Sequence, residues 1–487
     1  MTSSTFRPTI AIIGGGVTGA AVAYHLARSE DAGSPGIVVF EPRETIGRGL
    51  AYDTADPVHR INVPATRMSI LPDEPDHFAR WIEATDALAG DMPAIRPDGN
   101  VFPRRSVFGD YVFSNLKPLL ERGAIRHVRS AVAEVSRRNG RWHVASTDGK
   151  VLLADILVIA ATHPAPKSPS RLALPLTGHP RFIEDPTVSD ALSPIRSQDR
   201  VLVVGNGLTS ADVIASLKER GHRGAIVAIS RRGLRSRGHA PFPQEPFGDF
   251  LSSPETHASR LLARIRATIR AAAQDGLTWH AVLDQVRAQG SALWSDLPVV
   301  ERRRIVRHLR PYWDVHRFRI APQVEDVLDR EIAAGRLEVM AASIDRAETK
   351  DDAIRSLIKR RGRSLLEKRE FDAVVVTTGP AHGGLLSSQD WLQHLGKEGH
   401  IKIDPTGLGL ACNEYAWALR ADGTADCSLF IAGPLARGQF GELMGFPQVP
   451  ENAVFVAKLI AEDLRKRYAT TQGDRASQPD PEDRGIS

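Results

Sequence analysis

Short apolar, β-branched runs punctuate the chain, and the strongest of them end in glycine-rich turns. Thr9–Ile13 is such a run, suited to a strand buried on both faces of a parallel sheet. Gly14-Gly15-Gly16-Val17-Thr18-Gly19 follows, residues 20–28 carry strong helix formers, and Gly36–Phe40 makes a second strand that ends at Glu41. This predicts one β-α-β unit. The pattern recurs with a strand at 200–204, the turn Gly205-Asn206-Gly207-Leu208-Thr209-Ser210, a helix at 211–220 and a strand at 225–230 that runs into Arg231-Arg232. Two such turns, each at nearly the same distance from the end of its second strand, predict two dinucleotide folds in one chain.

Three further apolar runs close with turns: 155–160 before Ala161-Thr162-His163-Pro164, 371–376 before Thr377-Thr378-Gly379-Pro380, and 429–432 before Gly433-Pro434. An apolar-periodic helix is expected over 449–467. Within 258–310, Leu261, Leu262, Ile265 and Ile269 recur at helical spacing with Arg260, Arg264, Arg266 and Arg270 between them, which reads as a helical insertion. The expected architecture is α/β, with two Rossmann-like dinucleotide-binding domains, the second inserted in the first. Residues 1–165 and 371–469 are expected to form the first, discontinuous dinucleotide-binding domain, and residues 166–370 the second, carrying the helical insertion at about 250–320. Polar residues 470–487 make a disordered tail.

Composition narrows the class. The 487 residues are 42% hydrophobic and 25% charged with net charge +5, ordinary for a globular enzyme. An excess that small on so long a chain does not argue for nucleic acid or a membrane surface. Cys412 and Cys427 cannot build a disulfide framework, and no CxxC occurs; a reducing, cytoplasmic setting is expected. No metal is expected, because there is no HExxH and no spaced His/Cys cluster; GxSxG and P-loop motifs are missing too. Residues 9–27 lack Lys, Arg, Asp and Glu, and Ala21-Val22-Ala23 mimics a signal-peptidase site. Three consecutive glycines in that stretch argue against a membrane helix or a signal segment.

The turns carry the chemistry. A dinucleotide pyrophosphate is anionic and must come close to the backbone. Gly14 permits the tight turn, Gly16 clears a side chain from the phosphate, and Gly19 lets the helix pack on the strand. Gly15 and Thr18 complete the cradle, and the helix N-terminus meets the anion. Glu41 can accept hydrogen bonds from a ribose. In the second turn Gly205 and Gly207 hold the first two places, and Ser210 stands where a third glycine is usual. Arg231 and Arg232 follow where an acid would repel a 2′-phosphate, so the lean is to NADPH over NADH; the bland reading is two solvated arginines. Two units imply two dinucleotides, with FAD in the first and NADPH or NADH in the second. Gly49 and Tyr52, in Ile46-Gly47-Arg48-Gly49-Leu50-Ala51-Tyr52, let backbone run beside a ring system, and Gly433 closes the third run. Asn62 could donate to a flavin carbonyl. Arg67 could hold an anionic substrate or reduced flavin. The run Arg310-Pro311-Tyr312-Trp313-Asp314-Val315-His316-Arg317-Phe318-Arg319 either lines a pocket for an anionic planar substrate, through His316 and Arg317, or is a packed helix end. His163 and His239 have no evident partner in the sequence.

The GGGVTG turn, the Gly-Arg-Gly-Leu-Ala-Tyr run, the Gly-Asn-Gly-Leu-Thr-Ser-Ala-Asp turn, residues 312–319 and 429–434, in that order, resemble a family of bacterial single-component FAD/NAD(P)-binding flavoproteins. That family includes FAD-dependent urate hydroxylases and an aspartate N-monooxygenase. The resemblance spans Thr9 to about Arg467. It departs at Ala161-Thr162-His163, where many relatives have Ala-Thr-Gly, and at Ser210. It implies an NAD(P)H-consuming monooxygenase that acts with O2 through a flavin C4a-(hydro)peroxide on a small molecule. Urate hydroxylation is the leading expectation. N-hydroxylation of an amino acid such as aspartate, or a non-catalytic flavin sensor or scaffold, are the alternatives.

Overall fold

The computed structural model describes residues 7–30, 35–161, 164, 166–379 and 384–476. Thr162, His163 and most of the expected tail, 477–487, lie outside the described residues; 470–476 continue the helix Gln448–Ala476. In chain order the strands are β1 (Thr9–Ile13), β2 (Gly36–Phe40), β3 (Ile125–Val128), β4 (Val132–Arg138), β5 (Arg141–Ser146), β6 (Val151–Ala154), β7 (Ile156–Ile159), β8 (Phe182–Ile183), β9 (Val201–Val204), β10 (Ile226–Ser230), β11 (Leu337–Lys350), β12 (Ala353–Arg360), β13 (Leu366–Phe371), β14 (Ala373–Val376), β15 (Trp417–Leu419) and β16 (Ala425–Ile431).

The first sheet runs β15-β16-β7-β1-β2-β3, parallel except at its β15 edge. Its side chains alternate between two cores, as a doubly covered sheet requires. Ile10 and Ile12 pack with the helices Val17–Arg28, Arg105–Glu121 and Gln448–Ala476. Ala11 and Ile13 pack with the β4–β6 meander and the helix Asp390–Lys397. The uncharged stretch 9–27 is therefore a buried strand followed by a helix whose inner face is core.

The second sheet runs β13-β12-β11-β10-β9-β14-β8. β11, β10, β9, β14 and β8 are mutually parallel, and β12 and β13 add an antiparallel flap. Val201 and Val203 face the helices Leu208–Glu219 and Pro322–Ala333, while Leu202 and Val204 face Ser170–Leu176 and the flap. This moves one expected boundary. The run 371–376, assigned from sequence to the first domain, supplies β14, which pairs with β9 in register Ala373↔Val201 to Val376↔Val204. The reason is topological: the turn after β9 needs a parallel strand on its far side, as the turn after β1 has β7.

The helical insertion lies between β10 and the helix Pro322–Ala333. It comprises Ala258–Gln274, Trp279–Ala288, Gly290–Asp296, Val299–Arg304, a π-helical turn at Ile305–Leu309, and Arg310–Arg317. It has a small core of its own around Phe250, Leu261, Val282 and Leu293.

Helix and strand meet most tightly at Gly19. A Cβ there would sit 1.9 Å from the Gly14 carbonyl oxygen, a backbone atom that cannot move aside. Gly19→Ala is expected to destabilise the protein by about 3 kcal/mol or more, the upper range for overpacking. Urea unfolding compared with the parent chain measures it.

Candidate functional site

Each sheet places a glycine turn where its strand order reverses, the position at which open α/β sheets bind ligands. Gly14 has φ +101, its N–H donates to Phe40 O at 3.0 Å, and a Cβ would lie 2.6 Å from Ala160 O at the end of β7. Gly205 repeats the arrangement in the second sheet. Its φ is +131, its N–H donates to Ile229 O at 2.8 Å, and a Cβ would lie 2.3 Å from Thr377 O just past β14. Gly16 and Gly207 then cap the helices Val17–Arg28 and Leu208–Glu219. Neither helix has a side-chain cap or an acid in its first turn, which leaves the terminal N–H groups for an anion. A Cβ on Gly16 would touch only Gly49 Cα at 3.6 Å, and one on Gly207 would meet nothing within 4 Å. The backbone at both places is open for a phosphate. Ser210 is buried at the place of the third glycine.

Around the first turn the residues converge. Glu41 is 4% exposed. Its carboxylate accepts from Gly15 N–H at 3.1 Å and from Arg43, through N–H at 3.1 Å and Nη1 at 3.0 Å. Carboxylate lone pairs remain for a ribose. Gly47 N–H donates to Gly15 O at 2.7 Å, and Gly49 packs on Gly16, so the loop 47–52 folds over the turn. Gly433 lies against Thr18, and its N–H donates to Asn452 Oδ1 at 2.8 Å. Tyr52, its ring tilted against Phe108 with centroids 4.7 Å apart, has its phenol pushed up to about 12 by burial and stays a neutral donor.

These residues open onto a cleft of about 1290 Å³. One wall holds Gly14, Gly16, Thr18, Glu41, Gly49 and Tyr52; another holds Met444, Gly445, Phe446 and Val449. Thr209, Asp212, Val213 and Ser216 of the second unit's helix line a third. That helix is pinned there: Arg105 Nη2 pairs with Asp212 Oδ2 at 2.8 Å, and His59 Nε2 lies 3.2 Å from Ser216 Oγ.

Several expected residues stand elsewhere. Asn62 Nδ2 donates to the Arg319 carbonyl at 3.0 Å and so ties the first unit to the end of the helical insertion. Arg67 is exposed and does not line the cleft. Of the two readings of 310–319, the packed helix describes it: His316 packs 4.8 Å from Trp279, and buried Arg317 pairs with Glu442 Oε1 at 2.8 Å. Neither residue lines the cleft. Arg231 is exposed beyond β10, and Arg232 lies 5.4 Å over the Tyr312 ring. Arg43, His59, Arg105, Asp212, Met444, Phe446 and Asn452 were not anticipated. Only Arg43, two residues past Glu41, had a local signal; the others reach the site from distant elements. Among the described residues no group of three His, Cys, Asp or Glu could hold a metal, and no helix is long and apolar enough to cross a membrane.

Two Rossmann sheets, each with an open glycine turn, and a cleft at the first turn that is walled by the helix following the second, define the architecture of two-dinucleotide-domain flavoproteins. A family model described as FAD-NAD(P)-binding matches residues 11–164. Among solved structures, the chain is similar to ornithine hydroxylase from Pseudomonas aeruginosa, at 16% identity and TM-score 0.61, over 95% of this chain and 100% of that one. It is also similar to L-lysine 6-monooxygenase from Pseudomonas syringae, at 18% identity and TM-score 0.60, over 94% and 99%. A third is the cadaverine monooxygenase of desferrioxamine biosynthesis from Erwinia amylovora, solved with FAD, at 13% identity and TM-score 0.57, over 94% and 95%. At these identities the likeness is one of fold. No curated protein matches by sequence.

Gly16→Val tests the first cradle. The valine would intrude on the phosphate position and meet little of the protein, so FAD affinity should fall at least about 100-fold, some 2.7 kcal/mol, with the circular dichroism unchanged. Flavin absorbance after gel filtration measures it.

Buried His280 and half-buried His239 set an acid limit. Burial, and then Arg319, hold His239 and His280 down to about 4 from an ordinary 6.5. Between those values the unfolded chain takes up protons that the folded one refuses. Their contribution is full above pH 6.5 and is lost as pH falls towards 4, at up to about 1.4 kcal/mol per pH unit for each histidine. His280→Gln should flatten that fall in a urea-midpoint profile.

Proposed function

We propose that the chain is an FAD-dependent, NAD(P)H-consuming monooxygenase that hydroxylates the nitrogen of a small amino-acid-like amine. One observation carries the reading: the cleft that receives the first phosphate cradle is walled on one side by the helix that begins at the second. A flavin and a nicotinamide held by the two turns would meet in one enclosure. Bound there, FAD supplies oxygen activation and the nicotinamide supplies its electrons.

The chain's own residues bind, orient and exclude water. The uncapped turns at Gly14–Gly16 and Gly205–Gly207 take the diphosphates, and Glu41 takes a ribose. Arg231 and Arg232 favour a 2′-phosphate, hence NADPH over NADH. Leu50, Met444, Phe446 and Val449 give the cleft an apolar lining that keeps water from the reacting groups. Tyr52 offers a neutral hydroxyl. Both cysteines are free, and burial pushes the Cys412 thiol up to about 12, which suits a reducing compartment and gives no thiolate chemistry.

Amine hydroxylation takes precedence over urate for two reasons. The similar structures are named for ornithine, lysine and cadaverine, all amines. The urate reading relied on an open pocket formed by 310–319, and those side chains are spent on Glu442, Trp279 and Arg232.

The test is NADPH and NADH oxidation by the FAD-loaded protein with L-aspartate, L-ornithine, L-lysine and urate, with hydroxylamine product and H2O2 both quantified. We expect one amine to be hydroxylated in proportion to the NADPH consumed. Urate turnover with no hydroxylated amine overturns the substrate reading. NADPH converted wholly to H2O2 with every substrate overturns the monooxygenase.

A further inference from the structure

Every sulfur atom among the described residues can be placed relative to the cleft. Met68 and Met340 are buried in two of the cores, at 2% and 4% exposed, and Met92 stands on the surface at 74%. Cys427 is exposed, and Cys412 is buried with its thiol pushed up to about 12. None of these five lines the cleft, whereas Met444 does. It is half-buried there, on the wall that continues as Phe446 and Val449.

The backbone keeps it in place. Two residues before it, the Glu442 carboxylate accepts from Arg317 Nε at 2.8 Å and from Trp313 Nε1 at 3.1 Å. Just after it, the Gly445 carbonyl accepts from Val449 N–H at 3.0 Å, at the start of the helix Gln448–Ala476. Anchored on both sides, Met444 shares the enclosure with the first phosphate cradle. Chemistry then singles it out. A thioether reacts with peroxide as it stands, whereas a thiol must first ionise, and burial holds Cys412 protonated.

We propose that Met444 is a self-modification site: hydrogen peroxide released into the cleft, when reduced flavin meets O2 and no substrate takes the oxygen, converts it to methionine sulfoxide, and the sulfoxide opens the apolar wall to water. This rests on the FAD-monooxygenase reading above for the oxidant, but needs neither the nicotinamide nor the amine. The chemistry balances. O2 takes two electrons and two protons from reduced flavin and becomes hydrogen peroxide. The sulfur lone pair attacks one peroxide oxygen, an S–O bond forms, and the O–O bond breaks. The proton of the transferred oxygen joins the departing hydroxide as water, so sulfur loses the two electrons that the peroxide gains. The product replaces a flexible apolar side chain with a dipolar one. Its oxygen needs a hydrogen-bond donor, and burial beside Phe446 and Val449 without one is costly, so water follows it into the wall.

The test uses the FAD-loaded full chain and peptide mass spectrometry. The flavin is reduced with dithionite without air, desalted, and reoxidised in air with catalase in the solvent, over repeated cycles followed by O2 uptake. Met444 should gain about 16 Da, one oxygen atom, at least about tenfold more often than Met92. Hydrogen peroxide added to the oxidised protein without catalase should reverse that order, because Met92 is the more exposed. Equal marking of Met92 in the cycled protein, or unmarked Met444 after measured O2 uptake, overturns the site. The flavin absorption band should lose its fine structure in the marked parent and regain it on treatment with methionine sulfoxide reductases. Met444→Leu, close in volume, should fold, and its band should survive the same cycles. A band unmoved in the marked parent, or lost equally in Met444→Leu, overturns the opening of the wall. A parent that oxidises no NADPH yet gains the Met444 sulfoxide on dithionite cycling sinks the functional reading and leaves this site standing.

Discussion

Everything in this molecule is arranged around two places where backbone meets backbone too closely for a side chain. At Gly14 the obstacle is the carbonyl of Ala160, and at Gly205 that of Thr377. Each contact exists because a parallel strand lies on the far side of the turn, and that strand belongs to a later part of the chain. A phosphate cradle is therefore a long-range object. The local turn supplies the glycines; the neighbouring strand forces the turn into the left-handed region and aims its N–H groups outward.

The same requirement explains how the chain is threaded. To put β7 beside β1, the first unit completes its own switch point before the second begins. To put β14 beside β9, the chain passes through the flap of β12 and β13 before adding β14 to the second sheet, and only then crosses back to the first sheet with β15 and β16. The two units stay distinct in their cores but share a wall, and Arg105–Asp212 and His59–Ser216 hold that wall in place. Asp212 is buried, so the pairing with Arg105 is geometrically demanding and fixes the orientation of the helix more than a surface ion pair would.

Legibility in the sequence followed the range of the interaction. Both turns, their strands and Glu41 could be read because glycine spacing and apolar runs are local signals. The 371–376 run was placed in the wrong unit because an apolar strand buried on both faces looks the same whichever sheet it joins. The 310–319 run misled for a related reason. Arginine, histidine and aromatic residues at close spacing describe a pocket or an interior junction equally well, and the partner that decides, Glu442, is more than a hundred positions away. Asn452 meets Gly433 within one local stretch, but nothing in its surroundings announces a polar contact inside an apolar helix. Met444 and Phe446 carry no motif at all and enter the site only through the path of the loop.

That loop gives the helical insertion its purpose. Residues 433–452 touch the first cradle at one end, through Gly433 on Thr18 and Asn452, and form the cleft wall in the middle. From behind, the insertion grips the same segment: Trp294 Nε1 donates to the Gly438 carbonyl at 2.8 Å, Trp313 Nε1 to Glu442 Oε2 at 3.1 Å, and Arg287 to the Phe446 carbonyl. A cleft wall made of irregular backbone has no sheet or helix ladder to hold it, and its polar groups must find partners elsewhere. Here an element inserted in the second unit supplies them. The shape of the cleft beside the first unit's cradle is thus set by residues of the second, so movement of the insertion would alter the wall that faces the substrate while both phosphate turns remained intact.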